Sequence, residues 1–206
     1  KLSYINKITI LLNNLHNKAV ITQDLDLIQN NLYTENILKV NNRLTLIRDI
    51  LLYFNKISYN HINNLYITEK NHNNILENCH LLISQNISNK IRSIHGDCQF
   101  SNILLDSKLD KLYLIDPRGY YGTNIVYGPP EYDYAKILYA LSGYDSFNSS
   151  TQYYFTINDF NIDLNIKQLI DFSLIPELIL NKVTIAFLVI IWFSLAQYIS
   201  DNPIKA

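Results

Sequence analysis

Three oxygen-bearing side chains stand at the edges of one short stretch of this sequence: Asp97, Asn102 and Asp116. Between Asn102 and Asp116, two apolar runs at 103–105 and 112–115 flank a polar turn, a pattern that predicts a β-hairpin. Because a hairpin brings its two ends together, we expect Asp116 to return close to Asn102, with Asp97 in the loop just before. Carboxylate and amide oxygens are ligands that Mg²⁺ prefers, and waters and substrate phosphates complete its coordination shell. The pattern therefore predicts a magnesium and phosphate site.

The spacing within this stretch also indicates roles. His95-x-Asp97-x-x-x-x-Asn102 has the spacing of a kinase catalytic loop, in which the Asp receives the proton of the acceptor hydroxyl and the Asn holds metal. Asp116 stands where a metal-binding turn follows a hairpin. Each residue also has an ordinary interpretation: Asp97 as a helix N-cap or a turn residue, Asn102 as a turn residue, and Asp116, which precedes a proline, as an Asx-type turn.

These residues resemble the aminoglycoside phosphotransferase and choline kinase superfamily. The resemblance rests on His95-Gly96-Asp97 with Asn102, on Leu114-Ile115-Asp116, and on the sequence Gly-Pro-Pro-Glu-Tyr-Asp-Tyr-Ala-Lys at 128–136. It covers residues 91–143. The form Asp-Pro-Arg-Gly at 116–119 is similar to that of phosphotransferase-like proteins associated with surface-polysaccharide gene sets.

The resemblance implies a role for each matching residue. Asp97 would be the catalytic base, or would orient the acceptor hydroxyl. Asn102 and Asp116 would bind Mg²⁺ and, through it, the phosphates of ATP. His95 would brace the loop as a structural residue. Asp133 would accept hydrogen bonds from the backbone amides of the catalytic loop, since buried backbone donors need such partners.

Departures from the protein kinase pattern favour a small-molecule kinase. Gln99 stands where protein kinases place a Lys that meets the transferred phosphate, and Gly96 stands where most of them have Arg. Arg118 could supply a cation near phosphate instead, which would make it a third nucleotide-binding residue. It could equally pair with Glu131 or Asp133.

The elements that must position these residues are predicted to be mainly helical. Apolar residues recur at helical spacing in four segments: 8–15, 34–54, 70–88 and 131–142. A fifth segment, 183–196, is almost wholly apolar. Thr34 is a candidate N-cap for the second segment. Residues 119–130 are expected to be a loop and residues 148–163 a polar, aromatic-rich connector. The predicted fold class is α+β, mainly α: a protein-kinase-like C-terminal lobe with a small β-hairpin at the active site.

We expect one lobe over residues 1–206, made of a helical segment (1–90), a catalytic and metal-loop region (91–143) and C-terminal helices (144–206). All five glycines follow residue 95, and the chain contains no Met. The Gly-rich phosphate loop and the strand Lys of an N-terminal nucleotide lobe are therefore expected in the rest of the protein. This fragment alone is expected to be inactive.

Composition excludes some partners. With 17 Lys and Arg against 18 Asp and Glu, no excess of positive charge favours nucleic acid. Two cysteines indicate a reduced, cytoplasmic setting. The apolar run 183–196 is shorter than the roughly 20 residues that a bilayer needs, so a core helix is expected and no membrane partner.

The sequence thus predicts an ATP- and Mg²⁺-dependent phosphotransferase. Its acceptor would be the hydroxyl of a small molecule of the sugar, amino alcohol or aminoglycoside type. The alternative is a non-catalytic, kinase-like binding module of a larger protein related to surface polysaccharides.

Overall fold

The computed structural model describes residues 2–49, 61–62, 65–66, 69–144, 153–158, 161–166, 173, 175–195 and 198. Within these residues the chain has an α+β fold that is mainly helical, with several small sheets. This class agrees with the sequence prediction.

Helices make up most of the described residues before position 90. They are α1 (Leu2–His16), α2 (Leu25–Tyr33), α3 (Lys39–Thr45) and α4 (Glu69–Asn86), and a π-helical turn (Thr34–Leu38) joins α2 to α3. Helices α1 and α4 confirm the first and third predicted helical segments.

The start predicted for the second segment is wrong. Helix α2 begins at Leu25, where the side chain of Asp24 accepts hydrogen bonds from the amides of Asp26 (2.8 Å) and Leu27 (3.2 Å). An N-cap acts by satisfying amides that have no partner within the helix. Thr34 instead has helical angles (φ −59°, ψ −48°) and continues the helix. The predicted portion beyond residue 49 lies outside the described residues.

The described residues also form short strands. They are β1 (Val20–Thr22), β2 (His61–Ile62), β3 (Leu65–Tyr66), β4 (Lys90–Ser93), β5 (Ile103–Asp106), β6 (Lys111–Leu114), β7 (Tyr120–Tyr121), β8 (Asn124–Ile125), β9 (Tyr127–Gly128), β10 (Tyr153–Asn158) and β11 (Asn161–Ile166). One sheet has the order β1-β4-β9 and another the order β10-β11-β2-β3, while β5-β6 and β7-β8 are separate pairs. The stretch 119–130, predicted as a loop, thus contains three two-residue strands.

The β5–β6 hairpin confirms the element predicted beside the site. Its strands are antiparallel, with Ile103 opposite Leu114. In the turn, Asp106 Oδ1 accepts hydrogen bonds from the amides of Lys108 (2.9 Å) and Leu109 (3.1 Å). These bonds close the turn locally.

The region after residue 144 is not purely helical, and this part of the prediction is wrong. Strands β10 and β11 pair as an antiparallel hairpin where a polar connector and helices were expected. Aromatic and β-branched residues in Tyr153–Asn158 are typical of a strand. One further helix, α6 (Lys182–Phe193), is described beyond this hairpin.

Helix α5 (Pro130–Tyr139) lies at the centre of the packing. Its residues Tyr132, Ala135 and Tyr139 contribute to a core cluster shared with α2, α4 and α6. Its Ile137 and Leu138 contribute to a second cluster, shared with α1 and Cys98. Apolar residues on both sides fix α5 in place, so polar groups in its first turns are held rigidly.

Helix α6 packs against α4 and α5, confirming the prediction of a core helix. Its buried residues include Phe187 and Ile190. Among the described residues, no helix combines the length and apolar character needed to cross a bilayer.

Candidate active site

Asp133, in the first turn of α5, holds the loop that precedes the hairpin. Its side chain is fully buried. The amide of His95 donates to Oδ2 (2.8 Å) and that of Gly96 to Oδ1 (2.7 Å). Nε2 of His16 lies 3.0 Å from Oδ2, and the Cys98 thiol donates to the Asp133 carbonyl (3.0 Å). The backbone hydrogen bonds expected of Asp133 are thus present, while its support of a catalytic loop stays a prediction.

Gly96 allows this attachment. It has φ +80°, a left-handed angle that side chains disfavour, and a Cβ added there would lie 3.0 Å from Cβ of Arg118. Both the backbone turn and the close approach therefore favour glycine.

His95 has both ring nitrogens committed to the backbone. Nε2 lies 2.9 Å from the carbonyl oxygen of Ile115, and Nδ1 accepts from the amide of Asp97 (3.2 Å). A carbonyl oxygen only accepts, so Nε2 must carry the proton in this arrangement. His95 therefore ties the loop to the end of the hairpin and has no nitrogen left to carry a proton to a substrate.

Asp97 and Asn102 are in direct contact. The Asn102 amide nitrogen donates to the carbonyl oxygen of Asp97 (2.8 Å) and to its Oδ2 (3.2 Å). On the other side, Nζ of Lys136 lies 3.0 Å from Asp97 Oδ1. The Asp97 side chain is 30% exposed, so its carboxylate is both held and reachable from solvent. Asn102 is buried and uses its amide nitrogen on Asp97, so its amide oxygen is the atom that could bind a cation.

Lys136 was missed by the sequence analysis, although a signal was present. Asp133 and Lys136 are three residues apart on α5, a spacing that places two side chains on the same helix face. A lysine that shares a face with a buried aspartate is expected to face the same loop.

The backbone of the hairpin brings Asp116 close to Asn102. The amide of Ile115 donates to the carbonyl of Asn102 (3.0 Å), so the residue after it returns to Asn102 as the hairpin predicts. Asp116 has φ +53° and is exposed. Its carboxylate makes no hydrogen bond or ion pair with the other residues that the structure describes. A strained, exposed acid beside Asn102 is a position at which a functional role is worth testing.

Arg118 points to a partner that the sequence did not suggest. Its Nη2 donates to Glu35 Oε1 (2.6 Å) and its Nη1 to the Tyr132 hydroxyl (3.2 Å). The guanidinium lies 4.1 Å from the ring centre of Tyr120. Pairing with Glu131 or Asp133 is therefore wrong: the ion pair is with Glu35. A phosphate role for Arg118 stays a prediction and would require Glu35 to share the charge.

Glu35 is a buried acid in the π-helical turn after α2. Besides Arg118, Lys39 Nζ donates to its Oε2 (2.7 Å) and the amide of Gly122 to its Oε1 (3.2 Å). Burial by itself raises the pKa of Glu35, but the hydrogen bond from Arg118 and the charges of Lys39 and Arg118 outweigh it. The pKa therefore lies below its ordinary value of 4.5.

The lowered pKa of Glu35 predicts a pH dependence of stability. The ion pair stabilises the fold fully above about pH 4.5, and this contribution is lost as the pH falls through the lower folded-state pKa. We expect Glu35→Gln to lose about 2 kcal/mol of unfolding free energy at neutral pH, because Gln keeps only part of the charged hydrogen bonding. Between about pH 5 and pH 3 the stability of Glu35→Gln should fall less than that of the wild type.

Urea denaturation of both proteins across this pH range measures the effect. Glu77→Gln, which changes an exposed acid on α4, is the control and should follow the wild type. If the free energy of unfolding falls equally with pH in Glu35→Gln and the wild type, the lowered pKa of Glu35 is contradicted.

Two observations limit where the described residues could hold a cation or a ligand. In the part of the chain that the structure describes, no group of three or more His, Cys, Asp or Glu side chains could hold a metal ion. A small cavity between α2, β4 and strands β7–β9 is lined by Asn31 and Tyr121, among others, and by none of the predicted site residues. A metal at Asn102 and Asp116 would thus share its shell with water or phosphate oxygens, which is how Mg²⁺ is commonly bound.

Comparison with family models, with curated proteins and with solved structures finds no match to this chain. A functional assignment therefore depends on the residues and geometry described above.

Proposed function

We propose that this chain carries the catalytic half of an ATP- and Mg²⁺-dependent phosphotransferase with a kinase-like C-terminal lobe. The observation that carries the proposal is the loop from His95 to Asn102. It is fastened to buried Asp133 and to the end of the hairpin, and it presents the Asp97 carboxylate at the surface next to Asn102.

In this proposal Asp97 receives the proton of the acceptor hydroxyl. Its partly exposed carboxylate can meet a substrate, and its hydrogen bonds keep one orientation, as positioning of a base requires. Catalysis of phosphoryl transfer depends mainly on positioning and charge neutralisation, so few groups are needed.

Asn102 and Asp116 fit a magnesium site in their chemistry. Both offer oxygen ligands, Asp116 is exposed, and the amide nitrogen of Asn102 is already used. When bound, Mg²⁺ would neutralise charge on the phosphate oxygens of ATP. The phosphate-covering loop and the nucleotide-gripping lysine are assigned to a part of the protein outside this sequence.

The acceptor is proposed to be a small molecule with a hydroxyl group, such as a sugar, an amino alcohol or an aminoglycoside. We propose a cytoplasmic setting and neither nucleic acid nor membrane as a partner, on grounds of charge and composition.

One observation favours the alternative of a non-catalytic kinase-like module. Both carboxylate oxygens of Asp97 and the guanidinium of Arg118 already have partners within the chain, as in a purely structural network. Isothermal titration with MgATP, combined with the turnover assay below, separates the two functions. Binding without turnover would support the module.

Replacement of Asp116 tests the proposed metal site. In the full-length protein, Asp116→Asn should lower transfer of phosphate from ATP to a panel of small hydroxyl compounds by about 10²-fold or more. Raising the Mg²⁺ concentration should restore part of the rate, because the lost ligand weakens metal binding.

Asp110→Asn is a matched control for this experiment. Asp110 is also exposed and left-handed (φ 49°, against 53° for Asp116), but it lies in the hairpin turn at the other end of β6. It should retain the wild-type rate. Equal rates in both variants, or no Mg²⁺-dependent turnover in the wild type, would overturn the proposal.

A further inference from the structure

Lys136 is a partly buried cation in contact with the proposed catalytic aspartate. It lies on α5, its side chain is 16% exposed, and its Nζ is 3.0 Å from Asp97 Oδ1. Removing an ammonium group from water is costly unless a charged partner compensates. The contact is therefore a built feature of the fold and differs from the solvated ion pairs common on protein surfaces.

The surroundings of Lys136 keep its ammonium charged. The rings of Tyr132 and Tyr139 lie 6.0 and 5.4 Å from Nζ. Burial by itself lowers the pKa of Lys136, but interactions with Tyr132 and Asp97, including the hydrogen bond to Asp97, raise it above its ordinary value. The ammonium group that faces Asp97 is therefore positively charged at neutral pH.

Asp97 is consequently held from two sides. Asn102 donates to Oδ2 and Lys136 to Oδ1, which restricts rotation of the carboxylate about its side chain. Each carboxylate oxygen has further acceptor capacity, so a substrate hydroxyl can still bind. Asn102 comes from the loop itself, whereas Lys136 comes from the rigid central helix. The orientation of Asp97 is therefore set relative to the core.

We propose that Lys136 is a positioning residue for phosphoryl transfer, holding the Asp97 carboxylate in the orientation that meets the acceptor hydroxyl. This inference rests on the proposed function. In the step concerned, the acceptor oxygen bonds to the γ-phosphorus of ATP and the bond from that phosphorus to the β,γ-bridging oxygen breaks. ADP leaves, and the hydroxyl proton passes to Asp97 and then to solvent.

The test uses the full-length protein with MgATP and the same panel of hydroxyl compounds. Lys136→Met should lower kcat by about 10²-fold, the order expected for a misplaced catalytic group, while KM for ATP changes less than about threefold. Lys136→Arg, which keeps the charge, should recover part of kcat. In the Asp97→Asn background, Lys136→Met should cause no further loss, because Lys136 acts through Asp97.

Lys7→Met is the matched control. It also removes a lysine that forms an ion pair between distant elements, in this case with Asp110 in the hairpin turn, and it should leave kcat unchanged. If Lys136→Met does not fold, as judged by circular dichroism, Lys136→Gln replaces it with the same expected result.

The outcomes separate the inference from the proposed function. A wild-type kcat for Lys136→Met, or an equal further loss in the Asp97→Asn background, overturns the role of Lys136 even where Asp97→Asn is slow. A wild-type protein no faster than Asp97→Asn overturns the proposed function, and the inference with it.

Discussion

Asp133→Ala is expected to lower the free energy of unfolding by about 3 to 5 kcal/mol, a large fraction of the stability of a typical domain. The substitution removes a fully buried carboxylate that accepts from the amides of His95 and Gly96 and contacts His16. These three groups would remain buried without their acceptor, and each such donor costs about 1 to 3 kcal/mol. These hydrogen bonds hold the loop before the hairpin in place. Any catalytic activity that depends on this loop should therefore be lost in Asp133→Ala.

Denaturant unfolding followed by circular dichroism measures this loss. Asp26→Ala is the matched control, since Asp26 also lies in the first turn of a helix but is exposed. It should change stability by less than about 1 kcal/mol. Asp133→Asn, which keeps one acceptor oxygen, should fall between Asp133→Ala and the wild type. Equal stability of Asp133→Ala and Asp26→Ala would show that the buried carboxylate does not hold the loop.

Asp97→Asn is expected to lower turnover of MgATP with a hydroxyl acceptor by about 10² to 10⁴-fold, the usual contribution of a general base. Asparagine keeps the size of the side chain and can accept a hydrogen bond from Lys136, but it cannot take up a proton at neutral pH. The loss should therefore appear in kcat, with KM for ATP nearly unchanged.

Steady-state kinetics of the full-length protein, with a stability measurement on each variant, checks this expectation. Ser101→Ala changes an exposed polar residue of the same loop and should keep the wild-type kcat. An Asp97→Asn protein that is folded and as active as Ser101→Ala is incompatible with a proton-accepting role for Asp97.

The local elements around the candidate site could be predicted from the sequence. The two apolar runs and the polar turn between them indicated the hairpin, and strands β5 and β6 form it. Most helices were also recognised, because apolar residues recur along the chain at the spacing of one helix face. All of α2 (Leu25–Tyr33) was missed, although Asp24 before it is a typical N-cap residue. The β10–β11 hairpin was missed because its polar residues suggested a connector.

The charged partners of the site could not be predicted in the same way. Glu35 and Arg118 are 83 residues apart, and His16 and Asp133 are 117 apart. Periodicity and turn chemistry describe neighbours along the chain, and they carry no information about which distant acid meets which base. The same holds for Lys136 and Asp97, although the helix face shared by Asp133 and Lys136 was a usable signal.

The sequence by itself determined the spacing of His95, Asp97 and Asn102 and the hairpin that returns the chain to Asp116, because these depend on contacts over a few residues. Only the tertiary structure decided that Asp97 forms an ion pair with Lys136 and that Arg118 forms one with Glu35. The physical reason is that the packing of α5 between two core clusters sets which side chains face the loop. Buried charges then find the partners that this packing brings within reach.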